Sequence, residues 1–187
     1  MKYVFLLSGD YQNLGREEAI SLFETKNYKI LDKLLIADLK NDEKSLIKLG
    51  KRLALTKKIY RLLFECKIDD LIDVMKGFNW SSVYKDNFCL RAHNLSGNGN
   101  KKVKIKKNYS EKNLAKYIWH SVKNPKVNLE NPKTEADLFF SDNKVYCGLL
   151  IYENKENFES RKSHLRPFLH PSSLHPKVAR ALVNITG

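Results

Sequence analysis

The chain has 187 residues, 42% of them hydrophobic, which is enough for one large domain or two small ones with real cores. It carries 34 Lys and Arg residues against 21 Asp and Glu residues, a formal net charge of +13. The apolar run at the N terminus ends at Ser8, too early for a signal peptide or a membrane-spanning helix. We therefore expect a cytoplasmic protein without a membrane partner.

Apolar periodicity predicts the order β-α-β-β-α-β for the first 66 residues. The strands are expected at 2–7, 28–31, 34–39 and 59–66. The helices are expected at 14–25 and after an N-cap at Asn41 or Asp42. This is the order of ferredoxin-like domains, in which both helices cover one side of an antiparallel sheet.

A second α/β body is predicted to begin with a helix at 69–76, with Gly77 as its C-cap and Phe78 and Trp80 as core anchors. A half-buried strand at 88–93 leaves Arg91 on the face opposite Phe88. A helix at 111–123 follows an N-cap at Ser110, and strands at 135–140 and 145–152 form a hairpin.

The aromatic residues of the helix at 111–123 are expected to serve different purposes. Trp119 falls on the apolar stripe and is predicted to lie in the core. Tyr117 is the better candidate for stacking on a single-stranded base. The three cysteines, Cys66, Cys89 and Cys147, fit neither a disulfide framework nor a zinc site and are expected to be buried.

Positive charge is concentrated between Arg91 and Lys133, a stretch with eleven basic and two acidic residues. Such clustering favours a polyanionic partner, and nucleic acid in particular. The heptad KKVKIKK at 101–107 also fits an edge strand protected by lysines, and the two interpretations are compatible. The candidate RNA-contacting residues are Arg91, Lys101, Lys102, Lys104, Lys106, Lys107, Lys116, Tyr117, Lys123, Lys126 and Lys133.

The sequence predicts neither a catalytic constellation nor a metal site. His164, His170 and His175 stand among prolines that favour an extended chain, so nothing makes them converge on a metal ion. SGNGN at 96–100 lacks a third glycine and a following helix start, and is weak as a phosphate-binding loop.

Four segments resemble the THUMP domain, an RNA-binding module of several tRNA-modifying enzymes: FCLRAH, LAKYIWHSV, VNLENP and VYCGLLIY. Upstream, LSGDYQNLGREEAISLFE and GKRLALTKKIYRLLFE resemble the ferredoxin-like domain that precedes THUMP in archaeal-type tRNA guanine-N2 methyltransferases. The tail RPFLHPSSLHPKVARALVNITG is similar to the connector into the catalytic domain of that family, with Arg166, His170 and Ser172 as connector residues.

This resemblance implies an α+β chain with a ferredoxin-like domain at 1–66, a THUMP domain at 67–160 and a connector with a short helix at 161–187. It implies binding of the tRNA acceptor stem and 3′ end, so that a guanine is positioned for methylation. The S-adenosylmethionine-binding domain of that family has no counterpart in this sequence. We therefore expect either a truncated chain or a natural stand-alone fragment, and the abrupt end after an amphipathic helix favours truncation. In either case we expect that the chain holds no cofactor and does no chemistry by itself, with the catalytic domain as its partner in cis.

Two other functions stay open. A THUMP domain can serve another tRNA modification, such as 4-thiouridine synthesis, although the connector motif HPSSLHP favours methyl transfer. Alternatively, the basic face can bind an acidic protein instead of RNA.

Overall fold

The computed structural model of the chain describes residues 1–95, 107–165, 167 and 173–187. Within these residues it has seven strands: β1 (Lys2–Leu7), β2 (Tyr28–Leu31), β3 (Leu34–Asp38), β4 (Thr56–Lys67), β5 (Phe88–Asn94), β6 (Thr134–Ser141) and β7 (Lys144–Glu153). The same residues form five α-helices: α1 (Gln12–Phe23), α2 (Glu43–Gly50), α3 (Leu71–Gly77), α4 (Glu111–Ser121) and α5 (Pro176–Thr186). The chain divides into a first unit, Met1–Tyr60 with Ile151–Gly187, and a second unit, Arg61–Leu150.

In the first unit, the strands are hydrogen-bonded in the order β2-β3-β1-β4. β3 pairs antiparallel with both β1 and β2, and the β2–β3 turn places Asp32 in the left-handed region with a φ of 46°. Tyr3 and Phe5 alternate along β1 and pack with Phe23 of α1 and Leu46 of α2 in one core. The predicted order β-α-β-β-α-β and its mixed α and β character are thus confirmed.

α5 packs against α1 through buried polar contacts. The carboxylate of Glu18 is fully buried and accepts three hydrogen bonds, from the N–H groups of Ala54 (2.8 Å) and Leu55 (2.9 Å) and from Nδ2 of Asn184 (2.7 Å). Nδ2 of Asn184 also donates to the carbonyl oxygen of Arg52 at 2.8 Å. These bonds satisfy a buried charge with donors alone and fix α5 to the unit.

In the second unit, the strands lie in the order β4-β7-β6-β5, so β5 is the edge strand. β6 and β7 form the predicted antiparallel hairpin, whereas β5 pairs parallel with β6. α3 and α4 contribute Leu71, Leu114 and Ile118 to the core of this unit, which also contains the predicted anchor Trp80.

Local features of the second unit differ from the sequence prediction in one place and agree in another. Gly77 is the last residue of α3, and Phe78 is the C-cap, so the prediction of a Gly77 cap was wrong.

Cys89 and Cys147 are buried as predicted, and Cys66 is partly buried. Burial raises the pKa of the Cys66 thiol to about 11 and that of Cys147 well above its ordinary value. None of the helices in the described ranges has the length and apolar character needed to cross a bilayer.

Candidate nucleic-acid interface

An open groove of about 480 Å³ runs along α4 in the second unit. We call it the α4 groove. Its lining comes from β5, from α4 and from the segment after α4: Phe88, Leu90, Glu111, Lys112, Ala115, Lys116, Trp119, Val127 and Leu129.

The segment after α4 is held against the free edge of β5. The N–H of Phe88 donates to the carbonyl oxygen of Lys126 at 2.9 Å, and the N–H of Asn128 donates to the carbonyl oxygen of Phe88 at 3.0 Å. These bonds form a parallel bridge between Phe88 and Val127. Because backbone groups alternate along a strand, the N–H and C=O of Leu90 point to the same edge as those of Phe88.

Side chains then fix the end of this segment. Oδ1 of Asn128 accepts hydrogen bonds from the N–H groups of Glu130 (3.1 Å) and Asn131 (3.0 Å), which turns the chain. Nη2 of Arg91 donates to the carbonyl oxygen of Leu129 at 2.9 Å. The far wall of the groove is therefore set by bonds to β5 and within the turn.

α4 forms the other wall of the groove, and two contacts hold its N terminus in place. Oγ of Ser110 accepts from the N–H of Asn113 at 3.4 Å, which confirms the predicted N-cap. Oε1 of Glu111 accepts from the N–H of Ala92 at 2.8 Å and ties the helix start to β5. Positions 112, 115, 116 and 119 then follow helical spacing along the groove.

Three apolar side chains of the groove are strongly exposed: Trp119 at 45%, Val127 at 51% and Leu129 at 64% of their surface. The prediction that Trp119 lies in the core was wrong. Leu114 and Ile118 already occupy the core-facing stripe of α4, and Trp119 lies one residue further round the helix. This exposed apolar surface is bordered by Lys112 and Lys116.

The structure brings only part of the predicted set to the groove. Lys116 lines it, whereas Tyr117 is partly buried against the core, with Nζ of Lys116 5.1 Å from its ring centroid. The guanidinium of Arg91 is used to hold Leu129 and also lies 3.8 Å from a carboxylate oxygen of Glu135.

Three further predicted lysines are exposed outside the groove lining. Lys123 is exposed two residues after the end of α4. Nζ of Lys126 lies 3.6 Å from Oδ1 of Asp86, and the backbone N–H of Lys133 donates to Oδ1 of Asn87 at 2.8 Å. Lys107 begins a short 3-10 turn, and seven predicted residues lie outside the described ranges: Lys101, Lys102, Lys104, Lys106, Arg166, His170 and Ser172.

Sequence reasoning left Lys112, Trp119, Val127 and Leu129 out of its candidate list. The helical spacing of Lys112, Lys116 and Trp119 was the available signal for one wall. The alternation of Val127 and Leu129 within a polar segment was the signal for the other. Within the described ranges, no group of three His, Cys, Asp or Glu side chains is placed to hold a metal ion.

Solved structures share this fold. TrmN from Thermus thermophilus superposes on 99% of this chain and 54% of its own, with a TM-score of 0.64 at 13% identity. A 4-thiouridine synthetase in complex with RNA and ATP superposes on 79% of this chain and 40% of its own, with a TM-score of 0.52 at 12% identity. The fold is that of the N-terminal region of THUMP-containing proteins.

Sequence comparison finds homologous proteins. No family model matches the chain. The tRNA (guanine(10)-N2)-dimethyltransferase of Methanothermobacter thermautotrophicus is 30% identical over 143 residues, which are 74% of this chain and 40% of that protein. The protein of the same name from Pyrococcus abyssi is 29% identical across the whole of this chain and 54% of its own length.

The chain is therefore a homologue of the N-terminal part of the archaeal tRNA (guanine(10)-N2)-dimethyltransferases, as the resemblance of its motifs predicted. It spans about half the length of these relatives.

Proposed function

We propose that this chain is the tRNA-binding portion of a tRNA guanine-N2 methyltransferase. In this proposal, a ferredoxin-like domain at 1–66, a THUMP domain at 67–160 and a connector at 161–187 hold the acceptor stem and the 3′ end. An S-adenosylmethionine-dependent domain outside this sequence then methylates the positioned guanine.

The observation that carries the proposal is the exposed apolar surface of the α4 groove beside two lysines. Single-stranded bases stack on aromatic side chains, and Trp119 offers an exposed ring for this purpose. Lys112 and Lys116, one turn apart on α4, lie where they can neutralise the phosphates of the same strand. The backbone N–H and C=O of Leu90 supply a donor and an acceptor for a base edge.

Charge around the groove supports an extended contact with RNA. Lys123, Lys126 and Lys133 are exposed on the second unit. Contacts of lysine with phosphate position a nucleic acid and do not read its sequence. Specificity for the acceptor end then depends on the single-stranded 3′ bases in the groove.

The test compares binding of an intact tRNA with binding of the same tRNA lacking its single-stranded 3′ end, at several salt concentrations. We expect tighter binding of the intact tRNA. Four phosphate contacts give a log-log salt slope of about −3, because each contributes roughly 0.7 to 0.9. Equal affinity for both RNAs and for heparin would refute acceptor-end recognition.

Fold similarity to the 4-thiouridine synthetase supports a second candidate, an RNA-binding module for thiolation. Sequence similarity over the whole chain to the Pyrococcus abyssi dimethyltransferase favours methyl transfer. Fusion to the catalytic domain of a dimethyltransferase distinguishes the two, since guanine methylation by the fusion supports only the first.

A further inference from the structure

A second cavity, of about 350 Å³, lies in the first unit at the start of β4. Its lining includes Thr56, Lys57 and Lys58 of β4, Glu153 at the end of β7, Glu156 in the segment that follows, and Lys177 of α5. It shares no residue with the α4 groove. We call it the Thr56 cavity.

The lysines of the Thr56 cavity give it an excess of positive charge. Among the described residues, neither Lys57 nor Lys177 forms an ion pair. Lys177 is also the second residue of α5, so the positive end of that helix dipole lies nearby.

The carboxylates that line the same cavity are already neutralised. Glu153 pairs with Lys58 at 3.5 Å and with Lys155 at 3.6 Å. The guanidinium groups of Arg180 and Arg161 pair with Glu156, and their contacts hold the pKa of that carboxyl below its ordinary value. Both carboxylates are therefore compensated by neighbouring cations, and neither of them pairs with Lys57 or Lys177.

Thr56, one of the residues that line the cavity, carries a buried hydroxyl group. Thr56 is 1% exposed, and its Oγ1 has no hydrogen-bond partner among the described residues. A buried hydroxyl left in this state destabilises the fold, because it has lost its hydration and gained no hydrogen bond in return. A ligand that carries a hydrogen-bond acceptor would remove that destabilisation.

The backbone around Thr56 is held in place before any ligand arrives. Nδ2 of Asn154 donates to the carbonyl oxygens of Leu53 (2.8 Å) and Thr56 (3.3 Å), and the N–H of Asn154 donates to the carbonyl oxygen of Lys57 (2.8 Å). The backbone that carries Thr56 and Lys57 is thus fixed before a ligand binds, which lowers the entropic cost of binding.

We propose that the Thr56 cavity binds a phosphate group, with the Thr56 hydroxyl donating a hydrogen bond and Lys57 and Lys177 neutralising the charge. Two sources share this chemistry, a backbone phosphate of RNA and the phosphate of a free nucleotide. Only the choice between them rests on the proposed function, because the cavity binds phosphate in either case.

The first experiment measures the thermal midpoint of the wild-type chain and of Thr56→Val with increasing inorganic phosphate or AMP. The substitution keeps the shape of the side chain and replaces the hydroxyl with a methyl group. Without ligand, we expect Thr56→Val to melt at the same temperature as wild type or above it. With ligand, the midpoint of wild type rises further than that of the variant. General stabilisation by phosphate raises both midpoints equally and cancels in the comparison.

The second experiment measures the salt dependence of tRNA binding by the double variant Lys57→Gln with Lys177→Gln. The matched control is Lys44→Gln with Lys48→Gln on α2, which changes the charge of the same unit equally. If RNA supplies the phosphate, the slope of the first variant falls by about 0.7 to 0.9 for the lost contact, and the control keeps the wild-type slope.

The outcomes separate this proposal from the proposed function. A ligand response that depends on Thr56, with an unchanged RNA slope, supports the site and assigns it to a free nucleotide. Equal midpoint shifts in wild type and Thr56→Val, together with equal slopes in both lysine variants, would overturn it. Loss of preference for the tRNA 3′ end would count against the proposed function and leave the phosphate response intact.

Discussion

Replacing Trp119 tests the α4 groove most directly. Trp119→Leu keeps an apolar side chain on α4 but removes the aromatic face, whereas Trp119→Phe keeps a ring. Stacking of one base on an aromatic side chain contributes about 1–3 kcal/mol. At about 1.4 kcal/mol per tenfold change, we expect Trp119→Leu to bind the tRNA 3′ end roughly 5- to 140-fold more weakly. Trp119→Phe should stay close to wild type.

The assay exploits the two tryptophans of the chain, which differ sharply in exposure. Trp80 is 1% exposed in the core of the second unit, so a quencher such as acrylamide reaches Trp119 in preference. Saturating RNA should protect Trp119 from quenching, and the emission of Trp119→Phe gives the contribution of Trp80 alone. Equal affinity of the Leu and Phe variants, or quenching unchanged by RNA, would refute stacking at this position.

Four other predictions concern single residues. Glu18→Gln should lower the free energy of unfolding in urea by about 2–4 kcal/mol, because an amide cannot accept all three buried hydrogen bonds; an unchanged midpoint would contradict this. Since the pKa of Cys66 is raised to about 11, its thiol should react slowly with a disulfide reagent at pH 8 and faster toward pH 11. Rapid reaction at pH 7 would be inconsistent with a raised pKa. Because Arg180 lowers the pKa of Glu156, the pair should stabilise the fold above pH values near 4.5 and lose that effect as the pH falls. Arg180→Ala should reduce this loss of stability in acid. Parallel curves of unfolding free energy against pH for wild type and variant would argue against it. Arg91→Ala should weaken RNA binding with little change in salt slope, and a slope reduced by about 0.7 to 0.9 would show direct phosphate contact instead.

Local chemistry explains which parts of the fold were predictable from the sequence. The alternation of Tyr3 and Phe5 marks β1, and the side chains of Asp42 and Ser110 cap α2 and α4 as expected. Each of these signals acts over a few residues and depends little on the rest of the chain. The predicted helices and strands were therefore found close to their expected positions.

The ends of α1 show where local signals fail. The helix begins at Gln12, two residues earlier than predicted, after Tyr11 adopts a left-handed conformation without a side-chain cap. The helix ends at Phe23, because Glu24 also adopts a left-handed conformation. Neither tyrosine nor glutamate is a residue type from which a left-handed conformation is predicted. The hydrogen-bond partners of Glu18 are equally hard to predict, because they come from distant segments of the chain. Contacts of that kind leave no periodic trace in the sequence.

The RNA-contacting residues show the same difference between local and long-range information. The number of charges can be counted from the sequence, but the contacts that each charged side chain makes within the fold cannot. Arg91 was selected for its charge, yet its guanidinium donates to the carbonyl oxygen of Leu129 and so shapes the groove. Lys126 lies near Asp86, but both side chains are exposed. An exposed ion pair contributes little free energy, so Lys126 can exchange Asp86 for a phosphate. A salt slope calculated from every basic residue between Arg91 and Lys133 must therefore exceed the measured one. Arg91 accounts for part of that difference, because its guanidinium holds the groove and not the RNA.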